Sequence, residues 1–136
     1  MKDVTARIAI IEDNQANLEL VKYLLECSGY AVSVARDGRQ GVALVTQIRP
    51  DLVICDLQMP ALDGYEVLKL LRQDPALAQV PVIAVTAFSM PNDRQKVLTA
   101  GFDGYISKPI EPETFVSQVG AFLPDTLRRN LPTSTD

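Results

Sequence analysis

The sequence predicts an α/β protein with one doubly wound sheet of five parallel strands and helices packed on both faces. Short apolar runs rich in valine and isoleucine alternate with amphipathic segments, and this alternation repeats about five times along the chain. The runs are apolar almost throughout, as expected for strands covered on both faces of a parallel sheet. The predicted strands are Ile8–Ile11, Ala31–Ala35, Leu52–Cys55, Val82–Thr86 and a weaker Tyr105–Ile106.

The segments between the strands have the spacing of helices, and a glycine or a proline marks the end of each one. Core packing is the expected use of their apolar residues. The apolar residues are Leu18, Val21 and Leu25 before Gly29; Val42, Val45 and Ile48 before Pro50; Val67, Leu68 and Leu71; and Phe115, Val119 and Phe122 between Pro112 and Pro124, while the fourth helix, Pro91–Ala100 before Gly101, is polar and exposed.

Length and composition favour one compact domain. The chain has 136 residues, of which 47% are hydrophobic, enough for a sizeable core. A net charge of -4 argues against binding to a nucleic-acid backbone as the main activity, and it suits local binding of cations. We expect residues 1–123 to form the domain and the polar residues 124–136 to form a flexible tail.

The chain contains no histidine, which excludes Ser-His-Asp catalysis, Cys-His catalysis and the usual histidine metal sites. Cys27 and Cys55 lack CxxC spacing, so we expect two reduced thiols. The apolar run near the N-terminus is too short for a signal peptide, and no stretch approaches the roughly 20 apolar residues of a membrane span. These features predict a cytoplasmic protein.

Polar residues stand where several of the predicted strands end. Glu12 and Asp13 follow the first strand, Asp56 ends the third, Thr86 ends the fourth, and Lys108 follows the fifth. Sites in doubly wound sheets form beyond the carboxyl ends of the strands. We therefore expect these side chains to converge at one edge of the sheet.

Carboxylates held close together repel one another, and burial strengthens the repulsion, so the group needs a cation or a proton. Oxygen ligands without histidine or cysteine favour Mg²⁺ over zinc. Taken singly, Lys108 could be an ion-pair partner and Thr86 a helix cap. As a set with the acids, they place a positive charge and a hydroxyl where phosphoryl oxygens would bind, and an aspartate can accept a phosphoryl group.

Four stretches at the strand ends, IIEDN, DLQMPALDG, VTA and KPI, resemble the receiver domains of two-component response regulators. The resemblance covers about residues 6–123, and the spacing between the stretches also fits. It is closest in kind to chemotaxis regulators of the single-domain type. The resemblance implies a flavodoxin-like sheet with the strand order 2-1-3-4-5.

The resemblance also implies a role for each residue of the acidic group. Asp56 would be the phospho-acceptor. Asp13 would bind Mg²⁺ directly, and Glu12 would act through metal-bound water. The backbone carbonyl of Gln58 would complete the protein ligands, and Lys108 would contact a phosphoryl oxygen.

Three further residues are implied in switching. The Thr86 hydroxyl would contact a phosphoryl oxygen, and Tyr105 would turn inward when Thr86 moves, unless it is an ordinary half-buried tyrosine. Pro109 would follow a cis peptide bond that aims Lys108 at the site. The face that a downstream protein would read contains Arg94, Val97, Tyr105 and the last helix.

The implied partner is a sensor histidine kinase or a histidine phosphotransfer protein, whose phosphohistidine donates to Asp56. The chemistry is then switching with slow self-dephosphorylation, and the protein is not an enzyme that turns over a metabolite. Gln58 and Phe88 depart from the commonest family residues. In this family, side chains at these two positions flank the path of the attacking water, and the sign of their effect on phosphoryl lifetime is open.

Three readings of the whole chain stay open. The first is a single-domain regulator without an effector domain, which signals by binding a protein and does not bind nucleic acid or a membrane. The second is a receiver module excised from a hybrid sensor histidine kinase, which EDNQANLEL and VTAFSM also resemble. The third is a Mg²⁺-dependent aspartyl phosphohydrolase. DLQMP argues against the third, because it lacks a second acid two residues after the nucleophile.

Overall fold

The computed structural model describes residues 5–87 and 91–123, which form one five-stranded sheet flanked by helices. The strand order is β2-β1-β3-β4-β5, and all four pairings are parallel. The predicted fold class and strand order are therefore confirmed. The strands are β1 (Arg7–Ile11), β2 (Ala31–Ala35), β3 (Leu52–Asp56), β4 (Val82–Thr86) and β5 (Gly104–Ser107). The helices are α1 (Gln15–Cys27), α2 (Gly38–Ile48), α3 (Gly64–Arg72), α4 (Pro91–Ala100) and α5 (Pro112–Gly120), with one 3₁₀ turn at Pro75–Leu77.

The core has two halves, one on each face of the sheet, because successive side chains of a strand point in opposite directions. The central strands β1, β3 and β4 contribute to both halves, which explains why they are apolar at consecutive positions. The first half combines Ile8, Ile10, Leu52, Ile54, Ile83 and Val85 with Leu18, Val21, Leu25, Phe115 and Val119 of α1 and α5. The second combines Ala9, Ile11, Val53, Cys55, Val82 and Ala84 with Val45, Val67, Leu68, Leu71 and Val97 of α2, α3 and α4.

Strand β2 differs from the prediction that every strand is covered on both faces. It lies at an edge of the sheet and pairs with β1 alone, so Ala31 and Val34 are exposed. Its apolar sequence thus indicated a strand, but not how deeply the strand would be buried. In the neighbouring helix α2, Val45 is fully buried, whereas Val42 and Ile48 are only partly covered.

The predicted helix ends are mostly confirmed, and the backbone shows why. Gly29 and Gly101 have φ angles of 96° and 113°, in the left-handed region that a glycine adopts without strain. Helix α3 begins with a capping box, in which Asp63 accepts from the Glu66 N–H and the Glu66 side chain accepts from the Asp63 N–H. This box fixes where the chain turns after β3.

Helix α5 is shorter than predicted. It ends at Gly120, and the Phe122 N–H then donates to the Val119 carbonyl at 3.0 Å, as in a tighter turn. The Phe122 ring lies against Gly104 of β5, where an added Cβ would overlap the ring. Phe122 therefore leaves the helical line in order to pack on the sheet.

Several predictions concern residues outside the described ranges. Phe88 and the predicted flexible tail, residues 124–136, are among them and stay predictions. Within the described ranges, no helix has the length and apolar character needed to cross a membrane. Cys27 and Cys55 are both free, as expected.

An ion pair that the sequence did not reveal fastens the amino edge of the sheet. Arg72 of α3 donates to Asp103 Oδ2 at 3.0 Å, and the Val82 N–H donates to the same oxygen at 2.8 Å. The other terminal nitrogen of Arg72 donates to the carbonyls of Leu77 and Val80. One arginine and one aspartate therefore join α3, the 3₁₀ turn and the first residues of β4.

We expect Asp103→Ala to lower the free energy of unfolding by about 1–2 kcal/mol, because it leaves the Val82 N–H and one Arg72 nitrogen without this acceptor. Urea unfolding followed by circular dichroism measures the change. Glu111→Ala is a matched control, since Glu111 is an exposed acid whose side chain makes no capping hydrogen bond at α5. Equal losses in the two variants would contradict the role of Asp103.

Candidate functional site

The carboxyl edge of the sheet brings together the polar residues predicted from the strand ends. Asp56 is the last residue of β3, and in the register of the sheet it lies beside Val85 of β4. Glu12 follows β1, which pairs with β3 through Ile11 and Cys55. Neighbouring parallel strands thus place the two carboxylates side by side by backbone pairing alone.

Lys108 reaches both of these acids. Its Nζ lies 3.4 Å from Glu12 Oε1 and 3.4 Å from Asp56 Oδ1. The Glu12 and Asp56 side chains are 5% and 3% exposed, so the lysine meets carboxylates that water hardly reaches. The Lys108 N–H donates to the Thr86 carbonyl at 2.7 Å, which fixes its backbone to the end of β4.

Two backbone donors also hold the acids. The Asn14 N–H donates to Glu12 Oε2 at 3.1 Å, and the Gln58 N–H donates to Asp56 Oδ1 at 3.3 Å. Sequence analysis missed the role of Asn14. An asparagine before a helix signals the N-cap that it forms by accepting from the Asn17 N–H, but a backbone contact to Glu12 leaves no signal in the residue type.

Burial, and after it the neighbouring Asp56 carboxylate, together raise the pKa of Glu12 to about 7, although the Asn14 N–H and Lys108 oppose the shift. Burial also raises the pKa of Asp56, against the lowering influence of Lys108 and the Gln58 N–H. Both directions have the same cause, which is the cost of a carboxylate charge away from water. The site therefore favours a bound proton or a cation beside these acids.

The three acids lie close enough together to share one metal ion. Glu12, Asp13 and Asp56 each offer one carboxylate oxygen, and these oxygens all lie within 4.8 Å of one another. Among the described residues, Lys108 is the one cationic side chain that pairs with the buried acids, so negative charge remains. An all-oxygen donor set with surplus negative charge fits Mg²⁺.

The predicted switch residues lie on β4, on β5 and directly after Lys108. Thr86 ends β4 and is fully buried. Tyr105 of β5 is half-buried, and its pKa is raised by burial and by Asp93, with Arg94 opposing. The peptide bond between Lys108 and Pro109 is cis.

One prediction about the outer face is wrong. Val97 was expected to be an exposed residue of the face that a partner reads, but its side chain is fully buried in the second half of the core. Arg94 on the same helix is exposed, as is Gln58 beside the site. The short apolar stretch in a polar helix made the inward side of α4 hard to identify from the sequence.

The loop after Asp56 is shaped by two residues whose importance the sequence did not reveal. Ala61 has a φ angle of 68°, a left-handed conformation that is uncommon for a residue with a side chain. Gly64 packs so closely on the acceptor strand that an added Cβ would lie 2.6 Å from the Asp56 carbonyl oxygen. The pair DG predicted a turn, but the close approach is a property of the folded chain.

A 2-1-3-4-5 parallel sheet with an acidic group and a lysine at its carboxyl edge defines a receiver-type signalling domain. The model of the response regulator receiver domain matches residues 8–120. The chain therefore belongs to the response regulator receiver domain family of two-component signalling.

Three similar proteins illustrate the family. The polar-differentiation response regulator DivK of Brucella anthropi is 41% identical over 118 residues, which cover 87% of this chain and 96% of DivK. The chemotaxis response regulator CheY4 of Vibrio cholerae has a TM-score of 0.84 and 28% identity, covering 88% of this chain and all of CheY4. The receiver domain of the sensor histidine kinase PA1611 from Pseudomonas aeruginosa, solved with a magnesium ion coordinated in its active-site cleft, has a TM-score of 0.80 and 30% identity, covering 88% and 98% of the two chains.

The raised pKa of Glu12 gives a pH dependence with a definite sign. In the absence of metal, its contribution to stability is present below about pH 4.5 and is lost as the pH rises to about 7, because only the folded protein retains the proton in between. We expect Glu12→Gln to flatten this decline by on the order of 1–3 kcal/mol. Urea unfolding in EDTA at a series of pH values measures it.

Glu19→Gln removes an exposed acid from α1 and is the matched control, expected to keep the wild-type slope. Some slope should survive in Glu12→Gln, since the pKa of Asp56 is raised in the same direction. Identical slopes for wild type and Glu12→Gln would contradict the buried, proton-binding state of Glu12.

Proposed function

We propose that Asp56 accepts a phosphoryl group from a phosphohistidine on a partner protein, and that this transfer switches a protein-binding surface. The observation that carries the proposal is the position of Asp56, a nearly buried acid at the end of a central strand, 3.4 Å from Lys108. Membership of the receiver family and the adjoining acids Glu12 and Asp13 support it.

In the proposed step, an Asp56 carboxylate oxygen attacks phosphorus as the bond from phosphorus to the histidine nitrogen breaks. That nitrogen keeps the electron pair of the bond, and the histidine leaves as neutral imidazole because its other ring nitrogen carries a proton. Lys108 would stabilise negative charge on the transferred group, since its Nζ already lies between Asp56 and Glu12. Mg²⁺, held by Asp13, Glu12, Asp56 and the Gln58 carbonyl, would supply further positive charge when bound.

The proposed switch begins at the neighbouring strand. The Thr86 hydroxyl would be drawn toward a phosphoryl oxygen, and Tyr105 on the adjacent strand would turn into the space that Thr86 leaves. In the β4–β5 pairing, Thr86 pairs with Ser107 and Ala84 pairs with Tyr105. Tyr105 is therefore two residues away from the direct partner of Thr86. The populations of two states of the α4–β5–α5 face would then change.

The proposed donors are a sensor histidine kinase or a histidine phosphotransfer protein, because the chain itself has no histidine to carry the phosphoryl group. The reader would be a protein that contacts exposed residues such as Arg94. The relatives support two settings for the same chemistry, a regulator of the DivK kind and a receiver module within a kinase of the PA1611 kind.

Acetyl phosphate with Mg²⁺ should label the wild-type protein with one phosphoryl group, and Asp56→Asn should reduce the labelling to background, because the amide lacks the nucleophilic carboxylate. Intact mass spectrometry measures the added group. Asp51→Asn is the matched control. Asp51 lies at the opposite end of the strands from the site, and its side chain accepts a hydrogen bond from the Arg7 N–H.

Equal labelling of Asp56→Asn and wild type would refute the assignment of the acceptor. Incubation with an exogenous phosphomonoester distinguishes a switching receiver from an aspartyl phosphohydrolase. Many turnovers of that compound would identify a phosphohydrolase and overturn the switching role.

Asp13→Asn should weaken Mg²⁺ binding by about tenfold or more, since it removes one charge from the oxygen ligands. Titration of Mg²⁺ followed by NMR measures the affinity. Asp37→Asn, which alters the N-cap of α2 and none of the three clustered acids, should bind Mg²⁺ like wild type. Normal affinity in Asp13→Asn would count against its role as a ligand.

A further inference from the structure

We propose that Tyr65 is a positioning residue that ties helix α4 to the loop carrying Asp56, so that the phosphorylation state of Asp56 and the position of α4 influence each other. The inference rests on the proposed function, because it names the residue through which the acceptor reaches the α4 face. It requires one tie between the acceptor and α3, and a second between α3 and α4.

The first tie joins the start of α3 to the backbone of the acceptor. The Gly64 N–H donates to the Leu57 carbonyl at 3.1 Å. A Cβ at Gly64 would lie 2.6 Å from the Asp56 carbonyl oxygen and 2.8 Å from Leu57 Cα, so no space separates the two backbones. The first turn of α3 therefore follows any displacement of the Asp56 backbone, and Tyr65 is the next residue along the chain.

The second tie is the Tyr65 ring itself, which bridges α3 to α4 and to the turn after α4. Lys96 Nζ of α4 lies 5.6 Å from the centre of the ring. Phe102 meets the ring edge-on, with centroids 5.8 Å apart and planes at 78°. A cation near an aromatic ring and an edge-to-face aromatic pair are both favourable, and each depends on the position of the ring.

Helix α4 contributes few buried side chains to the core. Among residues 92–100, for which side chains are described, Val97 is the one buried residue. A helix with few buried contacts moves at a low energetic cost. The contacts of Lys96 and Phe102 with Tyr65 therefore add to the packing of Val97 in positioning α4.

Electrostatics places Tyr65 within reach of the proposed switch. Its pKa is raised first by burial and then by Asp93, Asp63 and Tyr105. Asp93 of α4 also raises the pKa of Tyr105. The two tyrosines therefore share a neighbour on α4, and the Tyr65 ring adjoins the region that the proposed switch would rearrange.

The direction of the effect follows from the contacts at the acceptor. The Asp56 carboxylate contacts Lys108 directly in the observed arrangement, so the position of α4 that Tyr65 holds is the one that accompanies the unphosphorylated carboxylate. Loss of the ring should let α4 leave that position more readily. Because linkage between two sites is reciprocal, the same change should favour phosphorylation of Asp56.

The test follows backbone amides of α4, such as those of Leu98 and Thr99, in ¹H–¹⁵N spectra with and without acetyl phosphate and Mg²⁺. Without the donor, Tyr65→Leu should displace these amides toward their positions in phosphorylated wild type, with about a fivefold change in the ratio of the two states. Tyr65→Phe keeps the ring and should match wild type. Lys96→Gln should move the amides in the same direction by a smaller amount.

Lys69→Gln is the control for charge, because Lys69 lies one turn further along α3 in the same groove between α3 and α4. It should leave the α4 amides at their wild-type positions. A Lys69→Gln displacement as large as that of Lys96→Gln would show a general effect of charge and would overturn the proposal.

The outcomes separate this inference from the proposed function. If wild type is not labelled, or Asp56→Asn is labelled equally, the proposed function fails and this inference fails with it. If labelling is normal and phosphorylation moves α4, but Tyr65→Leu and Lys96→Gln both behave as wild type, only this inference is overturned. If Tyr65→Leu does not fold, Lys96→Gln decides alone, since Lys96 is exposed and its loss leaves the core intact.

Discussion

The repulsion between two nearly buried carboxylates, Glu12 and Asp56, is the interaction on which the rest of this site depends. Backbone pairing of β1 with β3 brings them together, because they directly follow the paired residues Ile11 and Cys55. Burial and their mutual charge raise the pKa of Glu12 to about 7. Lys108 and two backbone N–H groups offset part of this cost, and the remainder favours a cation beside the acids, as the proposed phosphoryl transfer requires.

The strands that carry the proposed phosphorylation site are tightly packed, whereas helix α4, on the proposed partner-binding face, is mostly exposed. Strands β3 and β4 are buried at every position, and the acceptor loop is packed against Gly64 without spare space. Helix α4, in contrast, contributes Val97 to the core and otherwise presents exposed or half-buried side chains at residues 92–100. Helix α4 is therefore the element that we propose to respond, at low energetic cost, to a small rearrangement beside Asp56.

The sequence was most informative where a residue type has one physical use. Apolar runs gave the central strands to within one residue, and Asp63-Gly64 marked the start of α3. It was misleading where depth of burial depends on neighbours. An edge strand, β2, has the same apolar composition as a central one, and the single apolar face of α4 was too short to show that Val97 points inward.

By itself, the sequence determined the order of strands and helices, the acids at the strand ends, and, through the family resemblance, a five-stranded sheet ordered 2-1-3-4-5. These follow from local periodicity and from residue chemistry, which are properties of short segments. Only the tertiary structure decided that the Asn14 N–H holds Glu12, that Phe122 leaves its helix to cover Gly104, and that Tyr65 touches α4. Such contacts join segments far apart in the chain or use backbone atoms common to all residues, so they cannot be predicted from residue type.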